Sequence, residues 1–106
     1  ELLICDDCSP DDSWSVIESY ADRLRQRFER VELMRNEVNC GVTKNVNRML
    51  AMAKGQFVKT IASDDAMATA AIGEMAGFLM DNPKVDAALM IHVLAGIPLP
   101  SGILPL

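Results

Sequence analysis

The sequence predicts an α/β domain in which helices cover both faces of a mostly parallel β-sheet, a three-layer α/β/α arrangement. Three observations indicate this class. Segments predicted to form strands begin near positions 2, 31, 57 and 85, and the first is a continuous apolar run typical of a strand buried on both faces. Segments with apolar residues at helical spacing separate them. Half of the 106 residues are hydrophobic and 24% are charged, a globular composition of the length of one domain.

The first strand is predicted at Leu2–Cys5, and the acidic pair Asp6 and Asp7 ends it. We expect Ser9 to cap the following helix, with Pro10 at its first position, because these residue types favour a helix start. The apolar face of this helix is predicted from residues spaced three and four apart, namely Trp14, Ile17, Ala21, Leu24 and Phe28.

The second strand is predicted at Val31–Met34, and the polar segment from Asn36 to Gly41 is expected to form a loop. A helix should follow over Thr43–Ala53, ended by Gly55, since glycine readily adopts the backbone conformation that stops a helix. Its inward-facing residues are predicted to be Val46, Leu50 and Ala53.

The third strand is predicted at Phe57–Ala62 and runs into a second acidic pair, Asp64 and Asp65. A third helix is expected over Thr69–Met80, ended by an Asn-Pro pair, and a fourth strand over Val85–Val93. The predicted inward face of the third helix consists of Ile72, Met75 and Leu79.

The charge balance disfavours two classes of partner. Ten basic and fifteen acidic side chains give a net charge of −5, which provides no general attraction to nucleic acid or anionic lipid. The uncharged segment 87–106 is long enough to span a membrane, but three prolines interrupt it. No leader peptide is visible, so we expect a cytoplasmic protein. Because the chain begins with Glu1, we expect it to derive from a longer parent, whose association with a membrane stays open.

The three cysteines suggest one alternative site. Cys5 and Cys8 form a C-x-x-C pair, a spacing found in redox and zinc sites. Two aspartates lie between them and oppose a thiolate, and Cys40 and His92 are distant in sequence. We therefore favour Cys5 as a small buried residue at the end of a strand.

The two acidic pairs are the strongest candidates for a binding site. Ligands of parallel sheets bind beyond the carboxyl ends of the strands, where both pairs are predicted. Carboxylates are ligands that Mg²⁺ and Mn²⁺ prefer, and a metal held by one or two of them keeps positions for substrate phosphates. The alternative is a structural role, in which the acids favour the N-terminal ends of the following helices.

Four motifs in order resemble family 2 glycosyltransferases. The segment Glu1–Ser13 resembles the strand that leads to Asp-Asp-Gly-Ser in that family, and Asn39–Asn47 resembles its asparagine, glycine and following helix. Ala53–Asp65 resembles the strand that leads to the metal-binding D-x-D-type motif, and Phe78–Pro83 resembles the end of the next helix. The resemblance covers nearly the whole chain.

The resemblance implies a GT-A fold with a Rossmann-like sheet and a hexosyltransferase of cell-envelope polysaccharide biosynthesis. Such an enzyme transfers a sugar from a nucleotide-diphospho-sugar to a glycan, a lipid or a polysaccharide precursor. The implied nucleotide-binding residues are Asp6, Asp7, Lys44, Asn47 and Asp64. The implied ligands of a divalent Mn or Mg ion are Asp65 and Asp64.

The resemblance also implies that residues 1–106 are part of a nucleotide-sugar-binding domain. An earlier strand of the family and its acceptor-binding half have no counterpart here, and the catalytic base is expected beyond Leu106. We therefore expect the 106-residue chain to be inactive alone and to self-associate through open strand edges. Cys8 stands where the family usually has glycine, and Ser63 stands where a strict D-x-D motif has its first acid.

Two other functions are alternatives to the glycosyltransferase. A phosphoacceptor receiver domain also has acids after its first strand and an acceptor aspartate after its third. The predicted fourth strand carries no hydroxyl residue, and no lysine follows Lys84, although receiver chemistry needs both. The other alternative is a binding module without catalytic activity.

Overall fold

The computed structural model describes residues 1–88. The chain divides into two compact units, Glu1–Thr60 and Ile61–Leu106, which are described separately. The first unit contains two strands and three helices, and the described part of the second contains one helix. In chain order they are β1 (Leu2–Asp6), α1 (Ser13–Ser19), α2 (Ala21–Arg27), β2 (Val31–Arg35), α3 (Val42–Met52) and α4 (Ala71–Asp81).

The sheet of the first unit consists of β1 and β2 paired in parallel, as predicted for this pair. Leu2 lies opposite Val31 and Asp6 lies opposite Arg35, so both strands end at the same edge. The helices α1 and α2 contact β2, whereas α3 contacts β1. This arrangement brings the residues after β1, the loop after β2 and the start of α3 together.

The first helical segment starts later than predicted. We expected a helix from Ser9 and Pro10, but α1 begins at Ser13 with Asp12 in the N-cap position. The reason is local, because the Ser9 amide donates to the Asp6 carboxylate at 3.2 Å and Asp11 accepts from the Ser13 amide at 3.0 Å. The predicted apolar face is confirmed as half-buried, although the segment divides into α1 and α2 at Tyr20.

The end of α3 also differs from the prediction. The helix ends at Met52, and Ala53 is extended (φ −63°, ψ 136°), so Gly55 does not act as its stop. Instead the Gly55 amide donates to Glu1 Oε1 at 2.7 Å. Of the predicted inward residues, Val46 and Ala53 are half-buried whereas Leu50 is exposed.

The predicted third strand does not form. Residues 57–62 have no regular secondary structure, and the side chains of Phe57, Val58 and Ile61 are exposed. A strand requires backbone hydrogen bonds from a neighbouring strand. Within residues 1–88, β1 and β2 are the paired strands, so an apolar run alone does not produce a third one.

The helix of the second unit, α4, forms close to its predicted bounds, but its buried face is shifted by one residue at the start. Ala71 is buried, whereas Ile72 is 59% exposed. Ala71, Met75 and Leu79 recur every four residues and form the more buried side. Residues 85–88 do not form the predicted fourth strand, and the rest of that segment lies outside the described residues.

Burial in the first unit is concentrated at polar side chains. The apolar residues of β1 are half-buried, whereas Asp6 is 5%, Asn36 8% and Asn45 9% exposed. Buried polar groups are costly unless they are hydrogen-bonded, so this cluster requires a complete set of partners. None of the helices within residues 1–88 has the length and apolar character needed to cross a membrane.

Candidate functional site at the carboxyl end of the sheet

Asp7 follows β1 directly and holds the loop that follows β2. Its Oδ1 accepts from Asn36 Nδ2 at 2.7 Å and from the Cys40 amide at 2.8 Å. Its Oδ2 accepts from the Gly41 amide at 2.7 Å. Gly41 is the N-cap residue of α3, so the carboxylate also lies at the positive end of that helix. Asp7 therefore joins the two strand ends to the start of α3.

The same hydrogen bonds keep Asp7 ionised. The Cys40 amide, the Asn36 side chain and the Gly41 amide all favour the charged form, and they lower the pKa of the Asp7 carboxyl despite partial desolvation. A carboxylate held in this form can accept hydrogen bonds but cannot donate them. It is suited to recognising N–H or O–H donors of a ligand.

Two residues around Asp7 have a backbone conformation that favours glycine. Gly41 has φ 83°, and Cys8 has φ 61°. The left-handed conformation of Cys8 is uncommon for a residue other than glycine, asparagine or aspartate. The turn after Asp7 therefore has the backbone conformation that glycine favours, although the residue there is Cys8. The Cys8 thiol donates to the Glu37 carbonyl oxygen at 3.5 Å, which links this turn to the loop after β2.

Asn36 is the centre of a polar cluster with Asn45, Arg48 and Cys5, in which the two asparagines are buried and Arg48 is exposed. Its Nδ2 donates to Asp7 and, at 2.9 Å, to Asn45 Oδ1. Its Oδ1 accepts from an Arg48 guanidinium nitrogen at 2.6 Å. Both hydrogens of the amide group are therefore used, and the Arg48 contact fixes which end of the amide faces Asp7.

Asn45 ties this cluster to the end of β1. Its Nδ2 donates to the Cys5 carbonyl oxygen at 3.2 Å, and its Oδ1 accepts from the Cys5 thiol at 2.9 Å. Burial raises the pKa of the Cys5 thiol, so the thiol stays protonated and can donate. Cys5, Cys8 and Cys40 are all free thiols. Cys5 is therefore a half-buried, hydrogen-bonded residue near the end of β1, whereas we predicted a buried apolar one.

Asp6 is enclosed rather than open to a ligand. Its Oδ2 pairs with Arg35 Nε at 3.1 Å, and its carboxylate accepts from the Ser9 amide. A nitrogen of the Arg35 guanidinium also donates to the Ser9 carbonyl oxygen at 3.0 Å. The two adjacent acids at the end of β1 thus have different surroundings: Asp6 is buried and pairs with exposed Arg35, whereas half-buried Asp7 contacts the loop.

The other predicted site residues are exposed. Lys44 and Asn47 lie on the surface of α3, on either side of buried Asn45. In the second unit, Asp64 and Asp65 lie in and directly after a turn in which the Asp65 amide donates to the Ala62 carbonyl oxygen at 3.2 Å. In the described part of the chain, residues 1–88, no group of three or more Asp, Glu, His or Cys side chains is arranged to hold a metal ion. Two exposed carboxylates can still share a cation with ligand phosphate oxygens.

Sequence reasoning missed Asn36, Asn45 and Arg48. Asn36 falls in the predicted polar loop, and Asn45 and Arg48 fall in the predicted helix outside its predicted inward face. One pattern could have indicated Asn45. Asn45 follows the glycine at the helix start by four residues, which places it on the turn that packs against β1.

A comparison with known protein families matches most of this chain. The sequence profile described as glycosyl transferase family 2 matches residues 1–96. The chain belongs to glycosyl transferase family 2. This family assignment confirms the resemblance and implies the GT-A fold, of which the described residues show a parallel strand pair with flanking helices.

Curated relatives support the assignment. One is an Escherichia coli UDP-Glc:alpha-D-GlcNAc-diphosphoundecaprenol beta-1,3-glucosyltransferase, WfaP, which is 33% identical over 80% of this chain and 31% of its own length. Another is a Staphylococcus aureus poly(ribitol-phosphate) beta-N-acetylglucosaminyltransferase, TarS, which is 30% identical over 85% of this chain and 15% of its own length. The chain thus spans a third or less of these relatives. No solved structure is significantly similar to it.

Proposed function

We propose that this chain forms the donor-nucleotide part of an enzyme that transfers a sugar from a nucleotide-diphospho-sugar to an acceptor. The observation that carries the proposal is the ionised Asp7 carboxylate, held by the Asn36 side chain and two loop amides at the carboxyl edge of a parallel strand pair. This edge is where ligands of such sheets bind. An acceptor-only group there suits the N–H donors of a nucleobase.

The roles of the acids follow from their surroundings. We assign Asp7 to the nucleoside and Asp6 to support of the turn beside it, because Asp6 is buried against Arg35. Exposed Lys44 and Asn47 are candidates for further contacts with the nucleotide. Asp64 and Asp65 would hold a divalent Mg²⁺ or Mn²⁺ ion, with Asp64 also near the ribose. Such an ion would neutralise charge on the diphosphate of the donor.

The proposed acceptor rests on the acceptors that the names of the relatives specify. Their names specify alpha-D-GlcNAc-diphosphoundecaprenol, a lipid-linked sugar, in one case and poly(ribitol-phosphate) in the other. We propose an acceptor of this broad class, a glycan, lipid or polysaccharide precursor, for the full-length protein. We assign the catalytic base of the transfer to a part of the full-length protein beyond Leu106.

Calorimetry on the full-length protein tests the proposal. A nucleoside diphosphate should bind more tightly with Mg²⁺ or Mn²⁺ than with EDTA, because the cation bridges carboxylate and phosphate oxygens. Equal affinity in both buffers would remove the metal role. Absence of binding by every nucleoside diphosphate would overturn the proposed function.

A further inference from the structure

The carboxylate of Asp7 has little capacity left for a ligand. A carboxylate offers about four acceptor positions, two on each oxygen. Within residues 1–88, Asn36 Nδ2 and the Cys40 amide occupy both positions of Oδ1, and the Gly41 amide occupies one position of Oδ2. One acceptor position therefore remains, and it is on Oδ2.

The side-chain amide of Asn36, which donates to Asp7 Oδ1, is held in one orientation by its other hydrogen bonds. Arg48 donates to Asn36 Oδ1 at 2.6 Å, and Asn45 Oδ1 accepts the second hydrogen of Asn36 Nδ2 at 2.9 Å. Turning the amide over would place Nδ2 against the guanidinium and Oδ1 against two acceptor oxygens, which loses all of these hydrogen bonds. Because Asn36 and Asn45 are buried, water does not readily replace the lost partners.

We propose that Asn36 is a positioning residue that limits Asp7 to one hydrogen bond with the donor nucleotide. Asp7 therefore selects a base that presents a single N–H on the edge facing its carboxylate. Uracil and thymine have such an edge, with N3–H between two carbonyl groups. Guanine presents N1–H beside an amino group, and this pair requires one acceptor on each carboxylate oxygen. The inference rests on the proposed function, since it concerns the base of the nucleotide at the same Asp7.

Uracil and thymine are favoured because guanine, when bound in the same way, would leave its amino group without a hydrogen-bond acceptor. If guanine donates N1–H to Oδ2, its amino group faces an Oδ1 that already has two donors. A desolvated donor without an acceptor lowers affinity on the order of tenfold to a hundredfold. Uracil and thymine carry no such second donor on this edge.

Calorimetry on the full-length protein with UDP, dTDP and GDP, all with Mg²⁺, tests the inference. We expect UDP and dTDP to bind at least about tenfold more tightly than GDP. Asn36→Ala frees a position on Oδ1, so the ratio of UDP to GDP affinity should fall by several-fold. The matched control is Val38→Ala, which shortens an exposed side chain of the same loop and keeps the carbonyl oxygen that accepts from the Cys40 thiol, and it should leave the ratio unchanged.

The possible results separate this inference from the proposed function. GDP binding as tightly as UDP to the unaltered protein would overturn the inference while leaving a nucleotide site in place, and it requires no variant that could misfold. Asn36→Ala lowering both affinities in proportion would overturn the role of Asn36, because it would indicate loss of structure alone. Absence of binding by all three diphosphates would overturn the proposed function and the inference together.

Discussion

Asn36 Nδ2 donates to Asp7 Oδ1 at 2.7 Å and thereby joins the loop after β2 to the residue after β1. The two residues are 29 positions apart, and the register of the parallel strands brings them together. Together with the Cys40 amide, which is the larger cause, this contact lowers the pKa of the Asp7 carboxyl. It also uses one of the acceptor positions that a ligand would need.

Asp7→Asn should weaken nucleoside diphosphate binding both with Mg²⁺ and with EDTA. The substitution removes the negative charge at the position assigned to the nucleoside, which does not depend on a cation. Calorimetry measures the affinities, and circular dichroism checks the fold. The control is Asp11→Asn, since Asp11 contacts the Ser13 amide and not the loop after β2. A loss confined to the buffer with Mg²⁺ would show that Asp7 has the metal role instead.

Asp65→Asn should lower the affinity gained from Mg²⁺ or Mn²⁺ by about 2 kcal/mol, the scale of one charge-assisted contact. Binding in EDTA should stay the same, because the substitution changes a proposed metal ligand only. Asp86→Asn, another exposed acid of the same unit, is the matched control. If Asp65→Asn retains the full metal-dependent gain in calorimetry, Asp65 is not a ligand of the cation.

Arg48→Met should lower the free energy of unfolding by about 1–3 kcal/mol, because buried Asn36 Oδ1 loses its charged donor at 2.6 Å and is left with the Cys5 thiol at 3.8 Å. Urea denaturation measures the change. Arg25→Met removes an exposed arginine paired with Asp22 and should change stability by less than about 0.5 kcal/mol. Similar effects of the two substitutions would mean that the Asn36 cluster contributes little to stability.

The stabilisation that the Glu1 carboxylate provides should be lost as the pH falls from about 4.5 toward 2. The amides of Lys54 and Gly55, followed by Arg30, lower the pKa of the Glu1 carboxyl to about 2. Since the folded-state pKa lies below the ordinary 4.5, the stabilisation is complete above that pH and is lost as the carboxyl is protonated. Thermal unfolding at pH 5 and pH 2.5 should show a smaller decrease for Glu1→Gln than for the unaltered protein. Equal decreases would contradict the assignment.

The 106-residue chain alone should self-associate. Within residues 1–88, β1 pairs with β2 along one edge, and Phe57, Val58 and Ile61 leave apolar side chains exposed. Open strand edges and exposed apolar groups favour pairing with another chain. Analytical ultracentrifugation over a wide concentration range measures this. A monomer at all concentrations with a cooperative thermal transition would refute the prediction.

The sequence alone determined the parts of this protein whose structure depends on near neighbours. The segments Leu2–Cys5 and Val31–Met34 predicted β1 and β2 to within one residue, and the bounds of α3 were also predicted to within one residue, although its stop and one inward residue were not. The ordered motifs also predicted the glycosyltransferase family, which the match over residues 1–96 confirms. Local hydrophobic periodicity and motif order are properties of the chain itself.

Only the tertiary structure decided which side chains meet. The apolar run 57–62 does not form the predicted strand, because a strand depends on the backbone of a neighbour as well as on its own residues. The partners of Asp7 likewise depend on distance in space: Asn36, Cys40 and Gly41 reach its carboxylate because β1 and β2 pair in parallel and end together. Sequence placed an acid at the end of a strand, and the pairing of the strands determined how many hydrogen bonds that acid has left for a ligand.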